Sequence, residues 1–352
     1  MTSVLFFFSI FLLWISLANF LSIRRPGLVK EIDKSVSVLI PVRNEAENIT
    51  ELIDSLSKQS HLKSLEIIFI DDSSTDSTNK LLKTARSEGA PIKMVNAPEL
   101  PEGWLGKPWA LQQGYLIASG EIIVTIDADV RLTPTAIAQA IAMMGKRDFI
   151  SPYPRQIAIS FAERLVQPLL QWSWMTTVPL RIAEKSTRTS LAVANGQFFL
   201  VTKSALDLAS GFQKIAAEVL DDMKLARVLI ATGSRGGVAD GSTLAKTRMY
   251  KNFADIRAGY GKSLWSAFPT TLNTGVAITF IFLTGVAPIL AWFSGNPIGL
   301  FTFQIIVITR AISAKRSGGR ILDSLLHPIS SVILIYLIIY SWRARGKVQW
   351  KG

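Results

Sequence analysis

Three runs of this chain, VSVLIPV (36–42), LEIIFID (65–71) and EIIVTI (121–126), are apolar nearly throughout, and each gives way at its carboxyl end to charged and amide residues. Continuous apolar runs of that length, rich in Ile and Val, read as strands buried on both faces. Helix-patterned segments lie between them. Residues 46–57 put Ile49, Leu52, Ile53 and Leu56 on one face, 73–89 begins with helix-start chemistry and stops at Gly89, and 107–119 opens at Lys107–Pro108. PIKMVNA (91–97) reads as a shorter strand. Strands alternating with helices predict an α/β fold with a Rossmann-like, mostly parallel sheet and helices on both faces. Such sheets bind ligands outside the carboxyl ends of their strands. Arg43, Asn44 and Glu45, then Asp71 and Asp72, then Asp127 and Asp129 all fall there.

Of the 352 residues, 49% are hydrophobic, which exceeds what an ordinary soluble domain needs and points to membrane segments. The net charge of +12 fits either nucleic acid or anionic lipid. Lys and Arg flanking the apolar segments select an anionic membrane surface, and no nucleic-acid partner is expected. The chain has no cysteine and two histidines, His61 and His327, so a disulfide framework and a Cys- or His-rich metal site are excluded.

Residues 1–23 are apolar and end at Arg24–Arg25–Pro26. They lack a basic leading region and a small-residue cleavage site, so they read as a retained transmembrane anchor. Residues 34–255 form the α/β domain. Residues 268–352 form a C-terminal membrane region of two or three hydrophobic segments. Thr270 to Phe293 reads as a full span, 297–312 is shorter and carries Arg310, and 325–342 is interrupted near its start by His327–Pro328. Basic residues after the anchor place the α/β domain on the cytoplasmic side of a multi-pass membrane protein. A fourth full span would put Arg343, Arg345 and Lys347 outside, against the positive-inside rule, so one segment is expected to be re-entrant or interfacial. Residues 159–182, with Trp172, Trp174 and Met175, read either as an interfacial helix or as a soluble core helix.

Asp127 and Asp129 sit two apart on extended backbone and so point the same way, a small oxygen-ligand site for a hard divalent cation shared with a diphosphate. Asp71 and Asp72 suit contacts to a base or ribose, while capping of the next helix suits Ser73, Ser74 and Asp76. Lys107 beside a helix start is either an anion contact or a solvated lysine. In EVLDDMKLARVLIATG (218–233), Asp221 and Asp222 occupy the first turn of a helix. They either complement the helix dipole or supply a general base for an acceptor hydroxyl. Asn195 and Gly196, ahead of an apolar strand, either border an acceptor cleft or form a turn. Arg248 and Tyr250 lie in TRMYKNF (247–253), where Arg248 suits either a leaving diphosphate or lipid headgroups.

These motifs, in this order, resemble the inverting family 2 glycosyltransferases of GT-A fold: IPVRNE, DDSSTD, IDADV, LDDMKL and an Arg–aromatic pair, over 34–255. GWLGKPWALQQG, ANGQFF, TRMYKNF and HPIS bring the likeness closest to the membrane-anchored carotenoid- and hopanoid-associated members and carry it nearly to the C-terminus. The resemblance implies a nucleotide-diphosphate sugar donor, usually UDP-linked, and Mg²⁺ or Mn²⁺. By motif position Pro41, Asn44, Glu45 and Asp72 would line the nucleotide pocket. Asp127 and Asp129 would hold ribose, metal and diphosphate, and Asp222 would be the base. Arg248 stands where relatives place the arginine of a Gln-x-x-Arg-Trp motif. Here Leu244 and Ala245 replace the glutamine region and Tyr250 replaces the tryptophan. The acidic pair is Asp–Asp rather than Glu–Asp.

The expected activity is transfer of a hexose, from UDP-glucose by preference, to a hydroxyl of a membrane lipid, a carotenoid or other isoprenoid, with inversion. A polyprenyl phosphate is the alternative acceptor, and a non-catalytic sugar-nucleotide-binding membrane protein is the alternative of another class. Retention of Asp127, Asp129 and Asp222 together argues against the latter.

Overall fold

The computed structural model describes residues 2–345, in the order α1 (Thr2–Ser22), β1 (Ile32–Val42), α2 (Ala46–Ser57), β2 (Leu62–Asp71), α3 (Thr78–Ser87), β3 (Ile92–Asn96), α4 (Gly106–Ile117), β4 (Ile122–Ile126), β5 (Val130–Leu132), α5 (Ala136–Met144), β6 (Phe149–Gln156), α6 (Phe161–Thr177), α7 (Leu180–Ala183), β7 (Phe198–Thr202), α8 (Lys203–Leu208), α9 (Asp221–Ala231), β8 (Gly236–Thr247), α10 (Phe253–Ala267), α11 (Thr271–Gly285), α12 (Ala287–Phe293), α13 (Pro297–Ser317) and α14 (His327–Ala344). Lys347 lies outside the described residues. The chain divides into a sheet unit, Arg24–Arg155 with Ile182–Thr247, and a helical unit of 2–23, Gln156–Arg181 and 248–345.

The sheet unit holds an eight-stranded sheet of order β3-β2-β1-β4-β7-β6-β8-β5. The expected strands β1 to β4 pair in parallel, Val38 against Ile67 and against Val124. Beyond β4 the pairing turns antiparallel, with β7 running against both β4 and β6, and β8 against β5. The sheet is therefore mixed. Alternation along β1 sends Val36, Val38, Ile40 and Val42 into one core with α2, α3 and α5, and Leu39 into another with α4, α8 and α9. Every residue from Ile122 to Ile126 is buried, as a run apolar but for Thr125 requires. Arg24 is drawn into this unit. Its guanidinium meets the buried Glu184 carboxylate at 3.0 and 3.2 Å, and Arg147 meets the same carboxylate at 3.0 Å. One of the two arginines that argued for membrane orientation thus has a structural partner of its own.

In the helical unit, α1, α13 and 321–344 are long and apolar enough to cross a membrane. The pair α10 and α11 passes only together and is bent by 118°. Thr270 to Phe293, expected as one continuous span, is two helices instead, because α11 ends at Gly285 and α12 starts at Ala287. Pro288 has no N–H to give to the carbonyl of Thr284 and its ring would clash there, so the helix cannot run through. The segment expected to be short, 297–312, continues as α13 to Ser317 and is one of the three span-length helices. Asn19 of α1 closes the end of α6, donating to the carbonyls of Met175 and Val178 at 2.9 and 2.7 Å and accepting from the Leu180 N–H at 3.0 Å. Those carbonyls would otherwise be orphaned at a helix terminus followed by Pro179.

Candidate active site

The first cluster of expected site residues surrounds the ends of β1 and β2, which run in register to Val42 opposite Asp71. Asn44 takes a left-handed backbone, φ +53°, a conformation that asparagine tolerates better than most residues. Its side-chain oxygen accepts from the N–H groups of Thr75 and Asp76 at 2.8 and 3.3 Å, and its own N–H donates to Ser74 Oγ at 3.1 Å. Asp71 accepts from the Ser74 N–H at 3.0 Å and from Asn79 Nδ2 at 2.8 Å. Glu45 donates its N–H to Thr78 Oγ1 at 2.8 Å and accepts from Asn48 at 2.7 Å. Asp72 is buried and paired with Arg43 at 3.2 Å, and Pro41 is buried in β1. Asn44, Glu45 and Asp71 therefore knit the two loops together. Helix-start capping falls to Asp76, whose Oδ1 accepts from the Thr78 N–H at 2.9 Å.

The second cluster gathers side chains far apart in sequence. Lys107, in the first turn of α4, places Nζ 2.8 Å from Asp127 Oδ1 and 3.4 Å from Asp221 Oδ2. It is neither a solvated lysine nor free to meet an anion without release from these carboxylates. Its side chain is 19% exposed. Burial opposes its charge, but Asp127 and Asp221 outweigh burial and hold the ammonium well above its ordinary pKa. Asp129 accepts from the Thr247 hydroxyl at 2.8 Å, so the last residue of β8 anchors the second carboxylate of the pair. Asp127 is pushed up from the usual carboxylate range, first by burial and then, against the pull of Lys107, by Asp129.

Asp222, the second residue of α9, lies beside this cluster. Its Oδ2 accepts from the Gly196 N–H at 2.7 Å and its Oδ1 from the Met223 N–H at 2.6 Å. Burial first, then the charge of Asp221, lift its carboxyl to about 6, a value suited to a base near neutral pH. A side chain at Gly196 would bring a Cβ within 3.1 Å of Asp222 Cβ and 3.4 Å of Lys107 Nζ, so glycine here permits the close approach. Tyr153 is buried near the base. Burial and then the charge of Asp222 hold its phenol above its ordinary value. Asn195 is fixed behind them, donating its N–H to Ser151 Oγ at 2.8 Å.

Three carboxylates, Asp127, Asp221 and Asp222, thus act on one ammonium, and Asp129 stands beside Asp127. The donors are all oxygen, the chemistry that suits Mg²⁺ or Mn²⁺ rather than a softer metal. Among the described residues no three acidic or histidine side chains converge as a complete metal site. A cation would use Asp127 and Asp129 and take its remaining ligands from phosphate oxygens and water, the usual manner of Mg²⁺. Arg248 belongs to the helical unit, where its Nε and an Nη meet the Glu163 carboxylate at 3.0 and 3.2 Å. Glu163 also closes the capping box of α6 with Ser160. Thr247 and Tyr153 escaped the sequence reading, while Gly196, read as a cleft border or a turn, gives its N–H to Asp222. A single threonine or tyrosine carries no motif, and only folding brings them to the two acidic pairs.

Residues 37–208 match the family model described as Glycosyl transferase family 2. The 4,4'-diaponeurosporenoate glycosyltransferase of Staphylococcus haemolyticus (strain JCSC1435) is 26% identical over 342 residues, covering 92% of this chain and 88% of its own. That of Staphylococcus aureus (strain MRSA252) is 25% identical over 339 residues, covering 91% and 88%. Among solved structures, the mannosyltransferase PcManGT from Pyrobaculum calidifontis, in complex with GDP-Man and Mn²⁺, superposes with a TM-score of 0.55 at 17% identity, over 98% of this chain and 96% of its own. That likeness is one of fold.

Proposed function

Because residues 37–208 are a glycosyltransferase family 2 domain and the chain is a glycosyltransferase, we propose that it moves a hexose from a nucleotide-diphosphate sugar, UDP-glucose in our reading, to an oxygen of an isoprenoid lipid of the carotenoid class, with inversion at the anomeric carbon. The observation that carries this reading is the gathering of Asp127, Asp221 and Asp222 around Lys107, which sets the residues we propose for diphosphate and cation beside a carboxylate with a raised pKa. Asp222 removes the acceptor proton as its oxygen attacks from the face opposite the departing nucleotide. Asp127 and Asp129 would hold a divalent cation, which when bound offsets charge on the leaving diphosphate. Lys107 leaves Asp127 for the diphosphate once the donor is bound. Pro41, Asn44, Glu45 and Asp72 form the nucleotide side, with Asn44 acting through the loop it holds.

The acceptor class rests on relatives named for diaponeurosporenoate over nine-tenths of the chain, and on the span-length apolar helices, which suit a lipid substrate. The glycosyltransferase region, 34–255, is proposed to face the cytoplasm. The relatives' name denotes a carboxylate, and this favours a second acceptor chemistry. A carboxylate is ionised near neutral pH and has no proton for Asp222 to take, whereas an alcohol requires the base.

The test uses the full chain in detergent with UDP-glucose, Mn²⁺, and a carotenoid alcohol or a carotenoid acid as acceptor, with product identified by mass. Transfer to the alcohol should fall by about a hundredfold or more in Asp222→Asn, and transfer to the acid by far less. Nucleotide-sugar binding with no transfer to either acceptor would overturn the acceptor assignment. Unimpaired transfer to the alcohol by the variant would overturn the base.

A further inference from the structure

The helical unit buries two carboxylates, Glu163 and Asp323, and one guanidinium, Arg310, and the carboxylates are bonded to other arginines. Glu163 pairs with Arg248, and both oxygens of Asp323 are taken by Arg164. Arg320 stands a further 4.0 Å from the same carboxylate. Arg310, in the span-length helix α13 and 1% exposed, is left with neutral partners alone. One Nη donates to Ser330 Oγ at 2.8 Å, and the other reaches the carbonyls of Arg164 and Leu165 at 3.4 Å. The Arg164 carbonyl is available because Pro168, four residues on, has no N–H to bond it. A buried guanidinium without a carboxylate is costly among apolar helices, and charges inside membrane segments mark functional sites more often than ordinary structure.

A second observation lies on the same surfaces. His327, fully buried, has no partner at either ring nitrogen, and the buried Gln167 Nε2 and Ser324 Oγ have none either. His327 opens α14 one turn before Ser330, Ser324 precedes it by three residues, and Gln167 follows the two carbonyls that Arg310 reaches. Trp172 ties these elements together. Its ring centroid lies 4.6 Å from that of His327, and its Nε1 donates at 2.8 Å to Thr309, the neighbour of Arg310. The surroundings of Trp172 are apolar: Leu12, Leu169, Ile306, Phe280 and Leu334. Unpartnered buried donors are rare, and several near one cation that hydrogen-bonds no carboxylate suit a group with more than one anionic oxygen.

We propose that Gln167, Arg310, Ser324 and His327 form an internal site of the helical unit for the oxyanion head, a carboxylate or phosphate, of a membrane amphiphile whose tail lies among the apolar side chains around Trp172. The site is independent of glycosyl transfer and needs no donor. The full chain, in nanodiscs of phosphatidylcholine without nucleotide, is titrated with all-trans-retinoic acid and with all-trans-retinol, reading quenching of tryptophan emission. The acid should bind about tenfold more tightly than the alcohol, and Arg310→Gln should erase that preference. Gln167→Leu and His327→Phe remove unpartnered donors without touching the bonds of Arg310. Each should weaken the acid about threefold or more while leaving the melting temperature unchanged or higher, since deleting an unsatisfied buried polar group is not destabilising. Competition by dioleoylphosphatidic acid would mark a phosphate head as the native source, and its absence a carboxylate. Equal affinity of the wild type for acid and alcohol, or an acid preference that survives all three substitutions, would overturn the proposal and leave Arg310 as a clamp on the Pro168 break.

Discussion

Asp222→Asn separates the chemical work of the base from its effect on the fold. In the folded chain burial and Asp221 lift the Asp222 carboxyl from 3.8 to about 6. A carboxyl whose folded pKa lies above its unfolded value opposes folding wherever it is ionised. The penalty is absent below about pH 4, grows between about 4 and 6, and is complete above that. That rise from 3.8 to about 6 corresponds to roughly 3 kcal/mol. Asparagine removes the charge but turns an NH₂ toward one of the two N–H groups, of Gly196 or Met223, that the carboxylate accepts from. One unsatisfied N–H returns about 1–2 kcal/mol of that gain. The variant should therefore be more stable than wild type at pH 8 by about 1–2 kcal/mol, or roughly 2–8 °C in Tm, and the gain should vanish near pH 5. Its transfer to an alcohol should fall by about two to four orders of magnitude. The assay is thermal unfolding of the full chain in detergent at pH 5 and pH 8, beside nucleotide release at pH 8. A variant less stable than wild type at pH 8, or an equal shift at both pH values, would refute the burial argument. Turnover within about threefold of wild type would refute the role of base.

With an alcohol acceptor, kcat/KM should fall on the acid side of about pH 6, because the protonated Asp222 cannot take the acceptor proton; a flat profile from pH 5 to 8 would contradict this. Gly196→Ala should push Asp222 by a few tenths of an ångström, given the 3.1 Å approach of the new Cβ, and lower kcat about tenfold with donor KM unchanged in steady-state assays. Lys107→Met should raise Mn²⁺ affinity in the absence of nucleotide, measured by calorimetry, because ammonium and cation compete for Asp127, while turnover falls about tenfold or more. Glu184→Gln leaves Arg24 and Arg147 facing a neutral amide. Since both arginines are about a fifth exposed (23% and 20%), the loss should be about 2 kcal/mol, read as a lower Tm.

The sequence alone determined the elements whose cause is local. An Ile- and Val-rich run such as 122–126 has one economical environment, the middle of a sheet covered on both faces, and Ile122–Ile126 is buried at every position. Side-chain period fixed which residues of 46–57 face the core, and sequence spacing put Asp127 and Asp129 beyond the end of a strand and Asp221 and Asp222 in the first turn of a helix. Apolar length alone marked α1 and the last helix as able to cross a membrane. What sequence could not determine depends on partners distant along the chain. The antiparallel half of the sheet follows from which edge each later strand meets, a choice that residue pattern does not encode. The break at Gly285–Pro288 was readable in principle, yet hydropathy averages over a missing N–H, so 270–293 passed for one span. Asn44 looked like a nucleotide contact and is first a clamp on 74–76. Lys107 looked like a free cation and is held between Asp127 and Asp221, residues 20 and 114 positions away. The identity of each charged side chain is written in the sequence. Its pKa and its freedom to bind come from burial and from neighbours within a few ångströms, and only the tertiary fold decides those.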